Sequence, residues 1–275
     1  MDPTLKPSKP NVRDLLISAY GRTFRYIPTP IRRLLRLFAE KSGLKAASRE
    51  PAAKSVSSFY SSLNLIKKGD LVFDVGANIG IYSQAFLSLG CRVVAIEPQP
   101  NCVEEIRRSI SNSNFSCECV GVGSSEGTLD LFVSSSGSNV ASTFSQKHKE
   151  LEETNNKTDY TGTVRVPITT LDLLIKKYGA PAYIKIDVEG FEKEVLAGLS
   201  SPVRFLSFEF HSSSLQDAED CIGILEKKGF RNFNLVHDGR DAFVFPSWES
   251  GAEVLAYIKN NRKNFAAGDI FASTK

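Results

Sequence analysis

The chain has 275 residues, 41% of them hydrophobic, enough for one large buried core with an appendage. A formal net charge of +3, with basic residues interspersed among acids, sets aside nucleic acid as a partner. No run approaches the roughly 20 apolar residues of a membrane-spanning helix, and Arg13, Asp14 and Arg22 break the apolar pattern of a signal peptide.

Cys91, Cys102, Cys117, Cys119 and Cys221 form no C-x-x-C pair, and His148, His211 and His237 supply no zinc spacing. The expectation is therefore a reducing, cytoplasmic compartment, with neither a metal site nor a disulfide.

In chain order, residues 1–54 read as a basic, helical extension with a linker at 45–54, and residues 55–275 as the main domain. Ile31, Leu34, Leu35 and Phe38 recur at helical spacing with Arg32, Arg33 and Arg36 between them. Such a helix packs on protein, or lies peripherally on the inner surface of an anionic membrane through residues 31–38.

From residue 70 strands and helices alternate. Leu71–Val75 reads as a buried strand, followed by a helix closing at Gly90. Arg92–Ile96 is the second strand, Pro100–Ser111 a helix, and Phe115–Val122 a third strand. Gly127–Val133 alternates as a half-exposed strand. Residues 134–162 are polar and aperiodic and read as a long loop or lid, which leaves His148 at the surface. Thr163–Val166 is extended, and Thr169 with Asp172 fits a helix-capping pair before Leu171–Tyr178. Ala182–Val188 and Val203–Phe210 are strands, with helices at Glu192–Ala197 and Leu215–Lys228. A hairpin of 230–236 with 242–245 turns at Asp238-Gly239, with His237 at the surface. The pattern is that of a doubly wound α/β sheet.

Three clusters carry chemistry. Phe73-Asp-Val-Gly-Ala-Asn-Ile-Gly80 makes a strand-to-helix turn in which Gly76 and Gly80 let a ligand approach the backbone. Asp74 there suits an ammonium group and is unwelcome beside a pyrophosphate. Glu97 ends the second strand, where an acid accepts hydrogen bonds from a ribose diol. Ile184-Lys-Ile-Asp-Val-Glu-Gly-Phe-Glu192 sets Asp187 and Glu189 at a neighbouring strand end, with Lys185 and Asp187 on one face. Asp187, Glu209 and His211 all fall at C-terminal strand ends. His211, which titrates near neutrality, is the expected general base, with Asp187 orienting the acceptor.

These segments, with Val-Pro-Ile-Thr-Thr-Leu-Asp (166–172) and Ser-Phe-Glu-Phe-His (207–211), resemble the FkbM family of S-adenosylmethionine-dependent methyltransferases. The resemblance covers Leu71 to Phe245. It implies a class I methyltransferase-like seven-stranded sheet, with Asp74, Gly76, Asn78 and Glu97 around S-adenosylmethionine and Asp187 and Glu209 near the acceptor. It further implies methylation of a hydroxyl on a sugar, glycan or secondary metabolite. A nicotinamide-dependent oxidoreductase and a non-catalytic binding subunit on the same fold are the alternatives. The missing central glycine of G-x-G-x-x-G weighs against the first, and intact Asp74, Gly76 and Glu97 against the second.

Overall fold

Apolar side chains at Val56, Phe59, Tyr60 and Leu63 recur every three or four residues, the spacing of one helix face. They lie on α1 (Lys45–Leu63), a helix that takes in the segment 45–54 expected to be a linker. The computed structural model describes residues 45–134, 141–154, 159–238 and 240–274. The amphipathic segment at 31–38 lies outside them. The chain divides into two units at residue 55, and the second holds both sheets. Within it, Tyr60 is buried edge-on against Phe86 and Tyr183, and its hydroxyl meets that of Tyr183 at 3.1 Å. Among the described residues no helix is long and apolar enough to cross a membrane.

Strand β1 (Leu71–Val75) is buried at every position, as a strand covered on both faces requires. It is followed by α2 (Ile81–Ser88), β2 (Arg92–Ile96), α3 (Pro100–Ser109) and β3 (Phe115–Glu118). The chain then leaves the main sheet. The expected single strand 115–122 is broken at Cys119, because β4 (Gly121–Val122) pairs elsewhere, with Ile168 and Thr169. β5 (Gly127–Ser134), β6 (Ser142–Thr143), α4 (Gln146–Thr154) and β7 (Tyr160–Thr169) complete a smaller, four-stranded sheet with a helix. The stretch expected to be a loop thus carries β6, α4 and the start of β7. Its polar composition hides α4, which is held by buried His148 and by ion pairs such as Lys149–Glu153 rather than by an apolar stripe.

The main sheet resumes with α5 (Leu171–Tyr178), β8 (Tyr183–Ile186), α6 (Glu192–Ala197), β9 (Phe205–His211), α7 (Leu215–Lys227), β10 (Asn232–His237), α8 (Gly251–Asn261) and β11 (Ala267–Ser273). Its order is β10-β11-β9-β8-β1-β2-β3, all parallel except β11. The C-terminal antiparallel pair is therefore β10 with β11. Residues 242–245 instead lie along β10, where the Asn234 amide binds the carbonyl oxygens of Phe245 and Ser247. His237 is half-buried and stacks on Phe265 at 4.1 Å, so it is not the surface residue expected.

Helix α5 is capped by Thr170, whose hydroxyl accepts the Leu173 amide, and not by Thr169. Asp172 reaches across to the turn after α6, accepting the amides of Ser200 and Ser201 and the Ser200 hydroxyl. Burial pushes its carboxyl up, but these donors outweigh burial and hold it at about 2. An unfolded aspartate titrates near about 3.9. The contribution is therefore complete above about pH 4 and is lost as pH falls through about 2. Urea denaturation of Asp172→Asn should show a shallower loss of stability over that acid range than the parent. An unchanged slope would assign the acid sensitivity to other carboxylates.

Candidate active site

In open α/β sheets ligands bind beyond the carboxyl ends of the strands, where the strand order reverses direction. Here the chain runs outward from β1 through β2 to β3, then returns to fill the other side of β1 with β8 and β9. The reversal falls between β1 and β8. The Gly76 amide continues the sheet by donating to the Ile96 carbonyl, and the Asp187 amide donates to that of Val75. At Gly76 the φ angle is +82°, and a Cβ there would lie 1.7 Å from the Asp187 carbonyl oxygen. The β1 turn and the β8 turn touch through their backbones, so glycine is demanded by the fold itself. Gly80 likewise serves packing: a Cβ there would press on Ile106 and Ile110 of α3 and its flank.

A cleft opens over this junction. The main sheet contributes Gly76, Asn78, Glu97, Pro98 and the stretch Asp187 to Glu189. The small sheet and its flank contribute Val122, Leu131, Thr143 and Phe144, the last two from the segment whose polarity concealed its structure. Glu97 is buried, and its two oxygens accept the amides of Asn78 at 2.8 Å and Gln99 at 2.9 Å. Asn78 adopts φ +51°, a left-handed turn that aims its amide at the carboxylate. Burial pushes the Glu97 carboxyl up to about 7, against the two amides that hold it down. Asp74 does not line the cleft. It is buried behind it, accepting the Ser83 hydroxyl at 2.6 Å, and burial raises it to about 6.

The other end of the cleft is crowded with ionisable groups. Lys185 is buried, bonds Asp187 at 2.9 Å, lies 3.5 Å from Asp269 and sits 4.4 Å above the Tyr82 ring. Burial alone would lower its basicity, but the charges of Asp187 and Asp269 keep it well above the ordinary lysine value. Glu209 and His211 extend along β9, with His211 Nε2 3.7 Å from Glu209 Oε2. Burial, then the charges of Asp187 and Glu189, push the Glu209 carboxyl well up. His148, expected at the surface, is buried here, with its Nε2 3.3 Å from Glu189 and its ring 5.4 Å from that of His211. Burial opposes its protonation, but the bond and charge of Glu189 prevail and raise its pKa.

The family model of the methyltransferase FkbM domain matches residues 74–262. The chain belongs to the FkbM methyltransferase family. No curated protein sequence matches it. Among solved structures, it is similar to magnesium protoporphyrin IX methyltransferase from Synechocystis with bound S-adenosylmethionine. That match has 12% identity and a TM-score of 0.43, over 98% of this chain and 100% of that one. It is also similar to a TehB-like methyltransferase from Corynebacterium glutamicum, with 10% identity and a TM-score of 0.44, over 86% and 98% of the two chains.

S-adenosylmethionine is the cofactor of FkbM methyltransferases, and the donor set of this cleft fits it. Among the described residues the lining holds the carboxylates Glu97, Asp187 and Glu189 and neither lysine nor arginine, which suits a cationic sulfonium and a ribose diol and would repel a pyrophosphate. Apolar Ile96, Pro98 and Val120 flank Glu97 and suit a purine ring. Of the residues expected around the cofactor, Gly76, Asn78 and Glu97 reach the cleft, whereas Asp74 and Gly80 support it from behind. Of the three expected beside the acceptor, Asp187 lines the cleft, and Glu209 and His211 stand next to it. His148 was missed because one histidine in a polar stretch carries no periodic signal.

Proposed function

We propose that this methyltransferase is an O-methyltransferase whose acceptor is a hydroxyl of a sugar, glycan or hydroxylated secondary metabolite. The observation that carries this is the division of one cleft into two ends. A buried carboxylate suited to a ribose diol lies at one end, and Asp187 and Glu189 line the other, with Glu209 and His211 next to them.

Bound S-adenosylmethionine supplies an activated methyl group. The chain's own residues bind and orient. Glu97 holds the ribose hydroxyls, and its Asn78 and Gln99 amides fix the carboxylate in place. Lys185 aims Asp187 into the cleft, where that carboxylate orients the acceptor hydroxyl. His211 takes the hydroxyl proton at Nε2, and Glu209 beside it stabilises the imidazolium. The carboxylates Glu97, Asp187 and Glu189 in the lining favour this over a nicotinamide enzyme, and the intact Glu97 cradle favours it over a non-catalytic subunit.

The test is methyl transfer from labelled S-adenosylmethionine to a panel of glycans, polyols and hydroxylated metabolites, with the labelled atom located by mass spectrometry. Labelling confined to nitrogen would overturn the proposal. With an accepted substrate and saturating cofactor, His211→Ala should lower kcat at least about a hundredfold while S-adenosylhomocysteine affinity holds. If kcat survives there but is lost in Asp187→Ala, the base is Asp187.

A further inference from the structure

Five potential ligands converge where the cleft meets β9 and α4. One ligand atom each from His148, Glu189 and His211 lies within 4.8 Å of the others, and the same holds for Asp187, Glu189 and Glu209. Glu189 belongs to both groups. Their members come from three separate places in the chain: α4, the turn after β8, and β9.

Ion pairs account for part of this cluster: Asp187 meets Lys185, Glu189 meets His148, and Glu209 Oε2 stands 3.7 Å from His211 Nε2. Glu209 Oε2 is shielded from solvent and makes no hydrogen bond. Asp187, Glu189 and Glu209 bring three carboxylates together, and the buried cation Lys185 is shared between Asp187 and Asp269. Like charges at such range repel strongly where water is scarce. A dication would balance these carboxylates and give Glu209 Oε2, shielded from solvent and beyond hydrogen-bond reach of His211 Nε2, a direct partner.

The approach of the two histidines is also built in. His148 is nine-tenths buried, with its Nε2 turned toward Glu189 and its ring facing that of His211. A Cβ on Gly190 would lie 2.9 Å from the Cβ of His148, so glycine there lets α4 bring the imidazole in. Two imidazole nitrogens with carboxylate oxygens suit first-row divalent ions, whereas calcium and magnesium prefer all-oxygen shells.

We propose that His148, Glu189 and His211, with Glu209 and Asp187 beside them, bind a first-row divalent cation of the manganese-to-zinc range at the acceptor end of the cleft. This replaces the expectation, drawn from histidine and cysteine spacing, that the chain has no metal site. Because Glu189 and Asp187 line the cleft, the cation faces the acceptor. Resting on the O-methyltransferase proposal, this narrows the acceptor to molecules that present two neighbouring oxygens, such as a vicinal diol. A ring nitrogen of His211 that ligates the cation takes no proton, so the general-base role proposed above is that of the cation-free site.

The probe is manganese(II), added to the chelator-stripped full-length chain and followed by loss of the free-ion paramagnetic resonance signal and by calorimetry. The expected result is one equivalent bound, with a rise in melting temperature. In the double variant His148→Ala with His211→Ala, and separately in Glu189→Gln, affinity should fall at least about tenfold. Circular dichroism and the urea unfolding transition, measured without metal, report whether each variant is folded. The partly exposed Glu189→Gln keeps the test open if the buried histidine variant does not fold. No stoichiometric uptake by the parent, or uptake unchanged in folded variants, would overturn the cation site. If the parent takes up no manganese yet binds S-adenosylhomocysteine, the cation proposal fails and the methyltransferase assignment stands. Manganese uptake without methyl transfer to any hydroxyl would spare the cation site and sink the O-methyltransferase proposal.

Discussion

Replacing Glu97 with alanine is expected to weaken S-adenosylhomocysteine binding by about a hundredfold or more. Two charge-assisted hydrogen bonds to a ribose diol are worth about 1.5–3 kcal/mol each, and every 1.4 kcal/mol or so is tenfold in affinity. Each Glu97 oxygen already accepts one backbone amide, yet a carboxylate has about four acceptor positions, so capacity for the diol remains. Alanine would also strand the Asn78 and Gln99 amides, so Glu97→Gln, which keeps one carbonyl oxygen, is the control that separates lost binding from lost structure. The binding should depend on pH as well. In the free chain burial holds the Glu97 carboxyl at about 7, and only the ionised form accepts two hydroxyls without carrying a proton of its own. Affinity should therefore rise with pH through about 7 and level off above it, and Glu97→Gln should abolish the rise.

The same shift has a stability sign. The folded pKa lies above the unfolded value near about 4.3, so the contribution is complete below about pH 4 and lost as pH rises through about 7. The ligand-free chain should weaken over that window. Calorimetry from acid to mildly alkaline pH checks both effects, and an affinity flat in pH, equal in the parent and Glu97→Gln, would remove Glu97 from the site.

The second large effect is expected at Gly76. An added Cβ would meet the carbonyl oxygen of Asp187 at 1.7 Å, and both residues directly follow adjacent parallel strands that fix their backbones, so neither can turn aside. The φ of +82° adds the ordinary left-handed cost. Gly69 supplies the control, since its φ of +89° is similar but nothing lies within 4 Å of its Cβ position. Gly69→Ala should cost about 1–2 kcal/mol. Gly76→Ala should cost more than about 4 kcal/mol, in the range reserved for a few severe mechanisms. Urea denaturation of the two variants isolates the collision from the backbone term. Equal costs would show that glycine at 76 answers only to its φ, and that the turn has room for a methyl group.

What could be read from the sequence is what depends on neighbours along the chain. The five buried residues of β1, the glycine turn after it and the acid at the end of β2 are local features. Burial on both faces, positive φ and strand length each leave a mark within a few residues. The strand and helix alternation reduces the topology to a doubly wound sheet for the same reason. What the sequence could not supply depends on partners far along the chain. β11 becomes the partner of β10 because residues 267–273 insert between β9 and β10, a pairing no local pattern announces. β4 leaves the line of β3 because β7, more than forty residues on, captures it. The acidic residues divide by the same logic. Asp74 and Glu97 look alike as carboxylates at strand ends, yet Asp74 turns back to Ser83 and only Glu97 enters the cleft. The site at the acceptor end was least legible. His148 arrives on a helix without an apolar stripe, and only tertiary packing sets its imidazole beside Glu189 and His211.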